Sequence, residues 1–280
     1  MNKAYALFEL MRLDKPIGIY LLLWPALIAL VISTGGNFQY SDLIIVIIGS
    51  IIVRSAGCVI NDIWDKDLDG NVERTKLRPI PSKKVSIQES WALFIMLGVF
   101  SLILLSLTNT NTILISLCFG LMIVVYPLTK RFFIGPQIFL GLTFNPTIIV
   151  YAMTNELNNS TMIFLYLAIS AMTIAFDTLY GMCDKDDDKK LGINSTPLWW
   201  GSNTLVIVAI FQSLSICLLL MVGWQAELEF IWLIGTIFLS GFYFYQHQLA
   251  KQKKYLLAFK NNHFASLYLL MLSVFCIHMI

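Results

Sequence analysis

The chain has 280 residues, of which 58% are hydrophobic and 13% are charged, and its formal net charge is +2. This composition leaves too little polar surface for a soluble globular protein of this length and indicates a polytopic membrane protein. The five cysteines lack C-x-x-C spacing and the three histidines are dispersed, so zinc and haem sites are not supported.

Nine segments are long and apolar enough to cross a membrane, since a helical span needs about 20 residues. The connecting segments are short, so we predict an all-α fold in which nine transmembrane helices form one domain over residues 1–280. The predicted spans lie near residues 17–34, 42–60, 91–108, 112–128, 133–153, 161–180, 203–223, 229–247 and 264–280.

Basic residues alternate between the two sides of the predicted bundle. Eighteen of the nineteen lie at the amino terminus or in every second loop. Because such residues mark the cytoplasmic side, we expect the amino terminus and the loops after spans two, four, six and eight to be cytoplasmic. The first apolar segment lacks a small-residue cleavage site, so we expect it to remain as a span.

Two acidic clusters follow spans two and six and hold nine of the seventeen acidic residues. If each cluster continues the preceding helix, its polar side chains share one face, because each residue turns the helix by about 100°. Such oxygen-rich faces suit Mg²⁺, which usually takes one or two carboxylates and leaves positions for substrate phosphates. The sequence therefore predicts a Mg²⁺-diphosphate site. The two faces comprise Asn61, Asp62, Asp65 and Asp69, and Asp177, Tyr180, Asp184, Asp187 and Asp188.

Arg54 is the one basic residue inside a predicted span. It lies seven residues before Asn61, two turns deeper on the same helix face, where a charge costs about 2.5–3.5 kcal/mol on insertion scales. Two explanations are open. Arg54 forms a salt bridge with Asp62 or another acid of the bundle, or it binds an anionic acceptor substrate.

Further cations lie close to the acidic clusters in the predicted topology. Arg74 and Arg78 are four residues apart and could approach one anion if that stretch is helical. Tyr126, Lys130 and Arg131 lie at the cytoplasmic end of span four. Alone, the last two would be ordinary membrane anchors. Beside two Mg²⁺-type clusters they are candidate diphosphate ligands.

Taken together, these motifs resemble those of the UbiA-type intramembrane prenyltransferases. The segments 10–18, 22–25, 70–82 and 192–196 are similar to the branch of this family that acts on 4-hydroxybenzoate, and the similarity runs in order along nearly the whole chain. The segment 197–200 is bulkier than that branch leads us to expect, which affects the shape of the second cytoplasmic cap. Signatures similar to those of the UbiA-type intramembrane prenyltransferases are Asn61-Asp62-x-x-Asp65-x-x-x-Asp69, Tyr126-x-x-x-Lys130 and Asp184-x-x-x-Asp188.

The resemblance implies nine helices around a central cavity that opens sideways to lipid, in a bacterial inner membrane. It also implies that a polyprenyl group passes from its diphosphate to the ring carbon ortho to the hydroxyl of 4-hydroxybenzoate, in ubiquinone biosynthesis. The implied catalytic residues and Mg²⁺ ligands are Asp65, Asp69, Asp184 and Asp188, with Asn61 and Asp62 as further ligands. The implied substrate-binding residues are Arg54, Arg74, Arg78, Tyr126, Lys130, Arg131, Asp177 and Tyr180.

Two other functions remain open from the sequence. A prenyltransferase with another acceptor, such as a naphthoate or a haem, would use the same diphosphate site. A transporter could also keep acidic residues in a bundle, but it would usually place them near the membrane midplane, whereas these clusters lie at helix ends. We expect the lipid bilayer as a partner and no nucleic acid.

Overall fold

Every regular element is a helix within residues 3–70 and 72–279, which the computed structural model describes. This confirms the predicted all-α class. A 3₁₀ turn, Gly201–Asn203, joins α11 to α12. The helices are α1 (Lys3–Leu10), α2 (Ile17–Ser33), α3 (Tyr40–Trp64), α4 (Lys66–Asp69), α5 (Ile87–Leu105), α6 (Thr110–Thr129), α7 (Pro136–Thr143), α8 (Thr147–Met153), α9 (Ser160–Gly181), α10 (Lys185–Leu191), α11 (Thr196–Trp200), α12 (Thr204–Gln225), α13 (Phe230–Lys251) and α14 (Tyr255–Met279).

Six helical stretches in the described part of the chain are long and apolar enough to cross a membrane. They are α3, α5, α6, α9, the continuous stretch Thr196–Gln225, and α14. Helix α2 is apolar but has only 17 residues. The last helix begins at Tyr255, nine residues before its predicted start near 264. The predicted count of nine spans is therefore not reached by these stretches alone.

The predicted span 133–153 is broken into α7 and α8. The break falls at Asn145-Pro146, because a residue before proline avoids helical geometry and proline lacks a backbone N–H. The Asn145 side-chain amide donates to the Tyr166 carbonyl at 2.7 Å and to Ser170 Oγ at 2.9 Å, and its oxygen accepts from the Thr147 N–H at 3.2 Å. These bonds pair polar groups that lipid could not satisfy.

Helix α9 lies at the centre of the bundle, and 67% of its 18-residue apolar segment is buried. It packs most extensively against α12, and also against α7, α14 and α2. The α7 contact is close, because a Cβ on Gly141 would lie 2.5 Å from Ile174 and 2.9 Å from the Ser170 carbonyl. The second acidic cluster therefore follows the most deeply buried of the six apolar stretches.

Helices α5 and α6 lie at the edge of the bundle, and only 17% of the 18-residue apolar segment of each helix is buried. Both pack against α3, but among the described residues they have no extensive contact with each other. Gly98 on α5 and Gly120 on α6 face open space, since nothing lies within 4 Å of the position that a Cβ would take. A gap therefore separates these two consecutive helices.

Candidate active site

The first acidic cluster spans a break between two helices. Helix α3 ends at Trp64, Asp65 has non-helical backbone angles, and the four-residue helix α4 follows. The expected single helical face is therefore wrong for this cluster. The Asp69 N–H donates to the Asp65 carbonyl at 2.8 Å, which fixes the two acids one turn apart.

The second cluster repeats this arrangement. Helix α9 ends at Gly181, Asp184 lies outside helical geometry, and α10 follows. Here too the single continuous face is wrong, although Asp177 and Tyr180 do share α9. The Asp188 N–H donates to the Asp184 carbonyl at 2.8 Å. Each half of the bundle thus presents one acid at a helix break and a second acid one turn further on.

The two clusters meet across a cavity of about 180 Å³. Its wall also includes Gln137, Asn194 and Ser195, which the sequence did not single out. The Asn194 N–H donates to the Lys130 carbonyl at 2.8 Å and the Thr196 N–H to Gln137 Oε1 at 2.8 Å, so the second cap is held over the cavity. The predicted site residues in the wall are Asn61, Asp65, Asp69, Arg74, Arg78, Tyr126, Lys130, Asp177, Tyr180, Asp184 and Asp188.

Cations neutralise the first cluster. Lys130 Nζ lies 2.5 Å from Asp65 Oδ2. Arg78 Nη1 lies 2.7 Å from Asp69 Oδ2 and 3.1 Å from Asp62 Oδ1. The three carboxylates are nearly inaccessible to solvent, so these ion pairs have low screening.

Arg74 connects the first cap to the second cluster. Its Nε and Nη2 donate to the two carboxylate oxygens of Asp184 at 2.8 and 2.5 Å, and Nη1 donates to the Tyr180 hydroxyl at 2.6 Å. The segment 72–84 forms turns, not the helix considered for Arg74 and Arg78. The two guanidinium groups therefore reach opposite clusters.

The burial of the site shifts the pKa values of several of its charged groups. Burial, with a contribution from the nearby Asp184, raises the pKa of Asp188 to about 6. Burial also raises the pKa of Asp65, although Lys130 opposes this shift. For Arg74, burial lowers the pKa, but the hydrogen bonds with Asp184 outweigh it and the net pKa is raised. The site therefore keeps Arg74 charged and makes Asp65 and Asp188 costly to ionise without a cation.

The site fits a hard divalent cation. Asp65 Oδ1 is buried and has no hydrogen-bond partner among the described residues, and it belongs to a carboxylate in the cavity wall. The other candidate ligands in the wall are also oxygen donors, the type that Mg²⁺ prefers. Among the described residues, no preformed group of three or more His, Cys, Asp or Glu side chains is arranged to hold a metal. The carboxylates are instead engaged by lysine and arginine.

Three predicted site residues lie outside this wall: Arg54, described below, Asp62 and Arg131. Asp62 faces the larger cavity described below, and both its oxygens accept from Arg12 Nη2, at 2.9 and 2.8 Å. Arg12 was not among the predicted site residues, and no local pattern signals this pair. Arg131 is exposed and donates to the Trp64 carbonyl at 2.7 Å. Because its guanidinium binds the backbone outside the cavity wall, we do not carry Arg131 into the proposed site.

A second, larger cavity of about 1,670 Å³ adjoins the first. Asn61, Arg74, Tyr126, Asp177 and Tyr180 line both. The larger cavity is mainly apolar and extends between α3, α5, α6 and α8 to Thr108 and Met153. It includes Gly98 and Gly120 at the gap between α5 and α6. A charged chamber thus continues into an apolar one.

Arg54 lies in the wall of the larger cavity without a carboxylate partner. The described residues give it no ion pair, its buried Nε has no hydrogen-bond acceptor, and the salt bridge with Asp62 is not formed. Its guanidinium lies 5.1 Å from the centre of the Phe144 ring, beside the α7–α8 break. A Cβ on Gly18 would come within 2.5 Å of Arg54 Nε, so a larger residue there would displace the Arg54 side chain.

Comparison with known families shows to which family a chain with this arrangement belongs. The sequence matches the model of the UbiA prenyltransferase family over residues 22–270. The chain belongs to the UbiA prenyltransferase family. This membership and the six apolar helical stretches make it a multi-pass membrane protein.

Its relatives in this family are similar over almost their whole length. The chain is 36% identical over 270 residues to the 4-hydroxybenzoate octaprenyltransferase of Shewanella woodyi, covering 95% of this chain and 94% of that protein. It is 38% identical over 272 residues to the protein of the same name from Vibrio campbellii, covering 95% of each.

Solved UbiA structures have the same fold. The apo structure of a UbiA homolog from Aeropyrum pernix K1 superposes with a TM-score of 0.80 at 23% identity, covering 90% of this chain and 94% of that one. A UbiA homolog from Archaeoglobus fulgidus, bound to GPP and Mg²⁺, superposes with a TM-score of 0.74 at 16% identity, covering 98% and 99%.

Proposed function

We propose that the protein transfers a polyprenyl group from polyprenyl diphosphate to the ring carbon ortho to the hydroxyl of 4-hydroxybenzoate, a membrane step of ubiquinone biosynthesis. The observation that carries this proposal is a cavity lined by carboxylates and cations that continues into a large apolar cavity, where Arg54 has no carboxylate partner among the described residues. The relatives that are 36–39% identical over nearly the full chain are named for this activity. The sequence also raised a naphthoate or a haem as acceptor.

The test is direct. Purified protein in bilayers, supplied with Mg²⁺, polyprenyl diphosphate and 4-hydroxybenzoate, is expected to form prenylated 4-hydroxybenzoate, detected by mass spectrometry. Consumption of the donor with a naphthoate but not with 4-hydroxybenzoate would show that the acceptor is misassigned. No consumption of the donor with any acceptor would remove the prenyltransferase assignment itself.

The smaller cavity is the proposed site for the diphosphate. Bound Mg²⁺ would supply charge stabilisation for the departing diphosphate. As the donor binds, the cations that now pair with carboxylates are free to bind diphosphate oxygens, so the site exchanges one set of ion pairs for another. Its proposed Mg²⁺ ligands are Asn61, Asp65, Asp69, Asp184 and Asp188, and its proposed diphosphate-binding cations are Arg74, Arg78 and Lys130.

The reaction then occurs at the boundary of the two cavities. The donor C–O bond breaks, and its electron pair leaves with the diphosphate, which the surrounding cations stabilise. The allylic cation that remains lies beside the faces of Tyr180, Phe176 and Phe259, which contact one another and can stabilise positive charge. Arg54 holds the acceptor carboxylate, so the phenol ring is presented to this cation.

The larger cavity is the proposed site for the prenyl tail, which leaves the protein through the gap between α5 and α6. We predict that Gly98→Phe or Gly120→Phe lowers kcat/KM for octaprenyl diphosphate while sparing geranyl diphosphate. A phenyl ring at either position would occupy space that the tail needs. Overpacking of this kind costs about 1–3 kcal/mol, which corresponds to a loss of about 5- to 150-fold in kcat/KM. Rates with both donors measure the effect.

Gly241→Phe is the matched control. Gly241 also has nothing within 4 Å of a Cβ position, but it lies on α13, away from the cavity wall. This variant is expected to use both donors like the wild type. Equal losses for the long and the short donor at Gly98 and Gly120 would refute the tail path.

The proposed topology has nine spans in one domain over residues 1–280, in a bacterial inner membrane. Helices α2 and α13, together with the broken pair α7–α8, would add three spans to the six apolar stretches. The amino terminus and both acidic clusters would then be cytoplasmic, supported by the eighteen basic residues on that side.

A single native cysteine can test this topology. Cys183 is exposed beside Asp184, so in a variant without the other four cysteines it should react with a membrane-impermeant maleimide only from the cytoplasmic side. A cysteine placed at Asn158, in the α8–α9 loop, should react only from the opposite side. Labelling of Cys183 from the periplasm would contradict the proposed orientation.

A further inference from the structure

Two charged residues lie deeper in the bundle than the helix breaks of the two halves. Arg54 precedes Asp65 by eleven residues, and Asp177 precedes Asp184 by seven residues. At 1.5 Å per helical residue, they lie about 16 Å and about 10 Å below these breaks. Both line the larger cavity, and Asp177 lines the smaller one as well. Asp177 therefore sits at the boundary where the diphosphate chamber meets the apolar chamber.

Among the described residues Asp177, like Asp188, has no cation bound to it, unlike the other carboxylates of the site. Asp62, Asp65, Asp69 and Asp184 each form an ion pair with lysine or arginine. Within the described residues, the Asp177 side chain has no hydrogen bond or ion pair. A carboxylate inside a helical bundle without such a partner is costly, so an ionisable residue at this position is a candidate functional group.

The surroundings of Asp177 define what it can do. Arg54 is the cation that acts on it electrostatically, Asp184 is the neighbouring acid, and the hydroxyls of Tyr126 and Tyr180 share the boundary. Arg54 and Asp177 form no ion pair with each other, and both line the larger cavity. An aromatic acid whose carboxylate binds Arg54 would place its ring in this cavity, where Asp177 is also part of the wall.

We propose that Asp177 is the catalytic base that removes the ring proton after the prenyl group has been attached. This inference rests on the proposed function. A ring π electron pair forms the new C–C bond to the allylic cation. The C–H bond at the same ring carbon then breaks, its electron pair restores the aromatic ring, and the proton passes to an Asp177 carboxylate oxygen. The donor C–O electron pair has already left with the diphosphate, so no further reactant is needed.

The other acids of the site suit this role less well. Asp65, Asp69 and Asp184 are bound by cations in this structure and are the proposed Mg²⁺ ligands, so their oxygens are already engaged during the reaction. Among the described residues Asp188 has no ion pair, and it lines the smaller cavity but not the larger one. Asp177 alone among these acids reaches both the diphosphate chamber and the chamber of Arg54.

Asp177→Asn tests this role, because an amide of similar shape cannot take a proton. We expect a rate loss of about 10²–10⁴-fold, the usual contribution of a general base. Turnover is measured with 4-hydroxybenzoate that carries hydrogen or deuterium at both carbons ortho to the hydroxyl. The wild type should show a ratio near unity, whereas the variant should show a clear normal isotope effect, because proton removal has become limiting. A slow variant with a ratio near unity would overturn the assignment.

A second measurement covers a variant with no detectable turnover. The donor is labelled with oxygen-18 at the oxygen that bridges carbon and phosphorus. This label exchanges into a non-bridging phosphate position when the C–O bond breaks, the phosphate rotates and the bond re-forms. With Mg²⁺ and acceptor, Asp177→Asn should retain this exchange, because only a later step is blocked. Loss of the exchange would place Asp177 in donor activation and overturn the proposal.

Asp186→Asn is the matched control, since Asp186 is exposed on α10 and lines neither cavity. It should retain the wild-type rate and isotope ratio. If the wild type and this control form no prenylated 4-hydroxybenzoate, the proposed function itself fails. If both form product and Asp177→Asn has a ratio near unity or a wild-type rate, only the role of Asp177 fails.

Discussion

Asp65→Asn and Asp184→Asn should each lower prenyl transfer by more than about 10²–10³-fold, the loss that follows removal of one strong electrostatic stabiliser. Asp65 carries a buried oxygen without a hydrogen-bond partner, and Asp184 is its counterpart in the other half of the site. An amide cannot supply the negative charge that a divalent cation requires. Product formation by the purified variants measures the effect, and wild-type activity should vanish with a chelator and return with Mg²⁺.

The folded state must be intact for this result to count. Both variants should keep the thermal unfolding midpoint of the wild type to within a few degrees, and Asp186→Asn, two residues beyond Asp184, should remain active. Full activity of either site variant would mean that the acidic clusters do not hold the metal. Activity that is insensitive to the chelator would exclude the divalent cation.

Arg54→Ala should impair the acceptor and leave the donor nearly untouched. Loss of a charge-assisted pair in a dry pocket costs about 2–5 kcal/mol, which corresponds to about 30- to 4,000-fold in kcat/KM for 4-hydroxybenzoate. Polyprenyl diphosphate binding should change little, because Arg54 does not line the smaller cavity. Steady-state kinetics with each substrate varied in turn separates the two effects.

Two further variants sharpen this result. Arg54→Lys should restore activity only partly, because an ammonium group cannot reproduce the bidentate geometry of a guanidinium. Lys254→Ala removes an exposed cation between α13 and α14 and should behave like the wild type. Equal impairment of donor and acceptor would make Arg54 a structural or diphosphate-binding residue. Unchanged kinetics would remove it from the site.

Several features could be predicted from the sequence because they are encoded locally. The apolar lengths predict an all-α membrane protein, and two dense acidic clusters in an apolar chain predict where opposite parts of the sequence meet. The helix ends were not assigned from the sequence, because Asp65 and Asp184 are themselves compatible with a continuous helix. Gly181, the last residue of α9, was the local signal in the second cluster. The break at Asn145-Pro146 had a local signal in its proline, but the surrounding apolar residues favoured one uninterrupted span.

The ion-pair partners could not be predicted, because they are distant in sequence. Arg12 binds Asp62 across 50 residues, Lys130 binds Asp65 across 65, and Arg74 binds Asp184 across 110. Only the packed bundle decides which cation meets which carboxylate. The same holds for Arg54, whose sequence position allowed a salt bridge with Asp62. The structure gives that acid to Arg12 and Arg78 instead.

The gap between α5 and α6 determines which donor concentration governs the reaction, the one in the bilayer or the one in the buffer. Moving a forty-carbon tail from lipid into water would cost roughly 30 kcal/mol at about 0.8 kcal/mol per CH₂. A side opening avoids that transfer, because the tail can stay among lipid chains while its head group enters the bundle. The donor therefore reaches the protein by diffusion within a plane. Its saturation should follow the mole fraction in the bilayer, so added lipid would slow the reaction whereas added buffer would not.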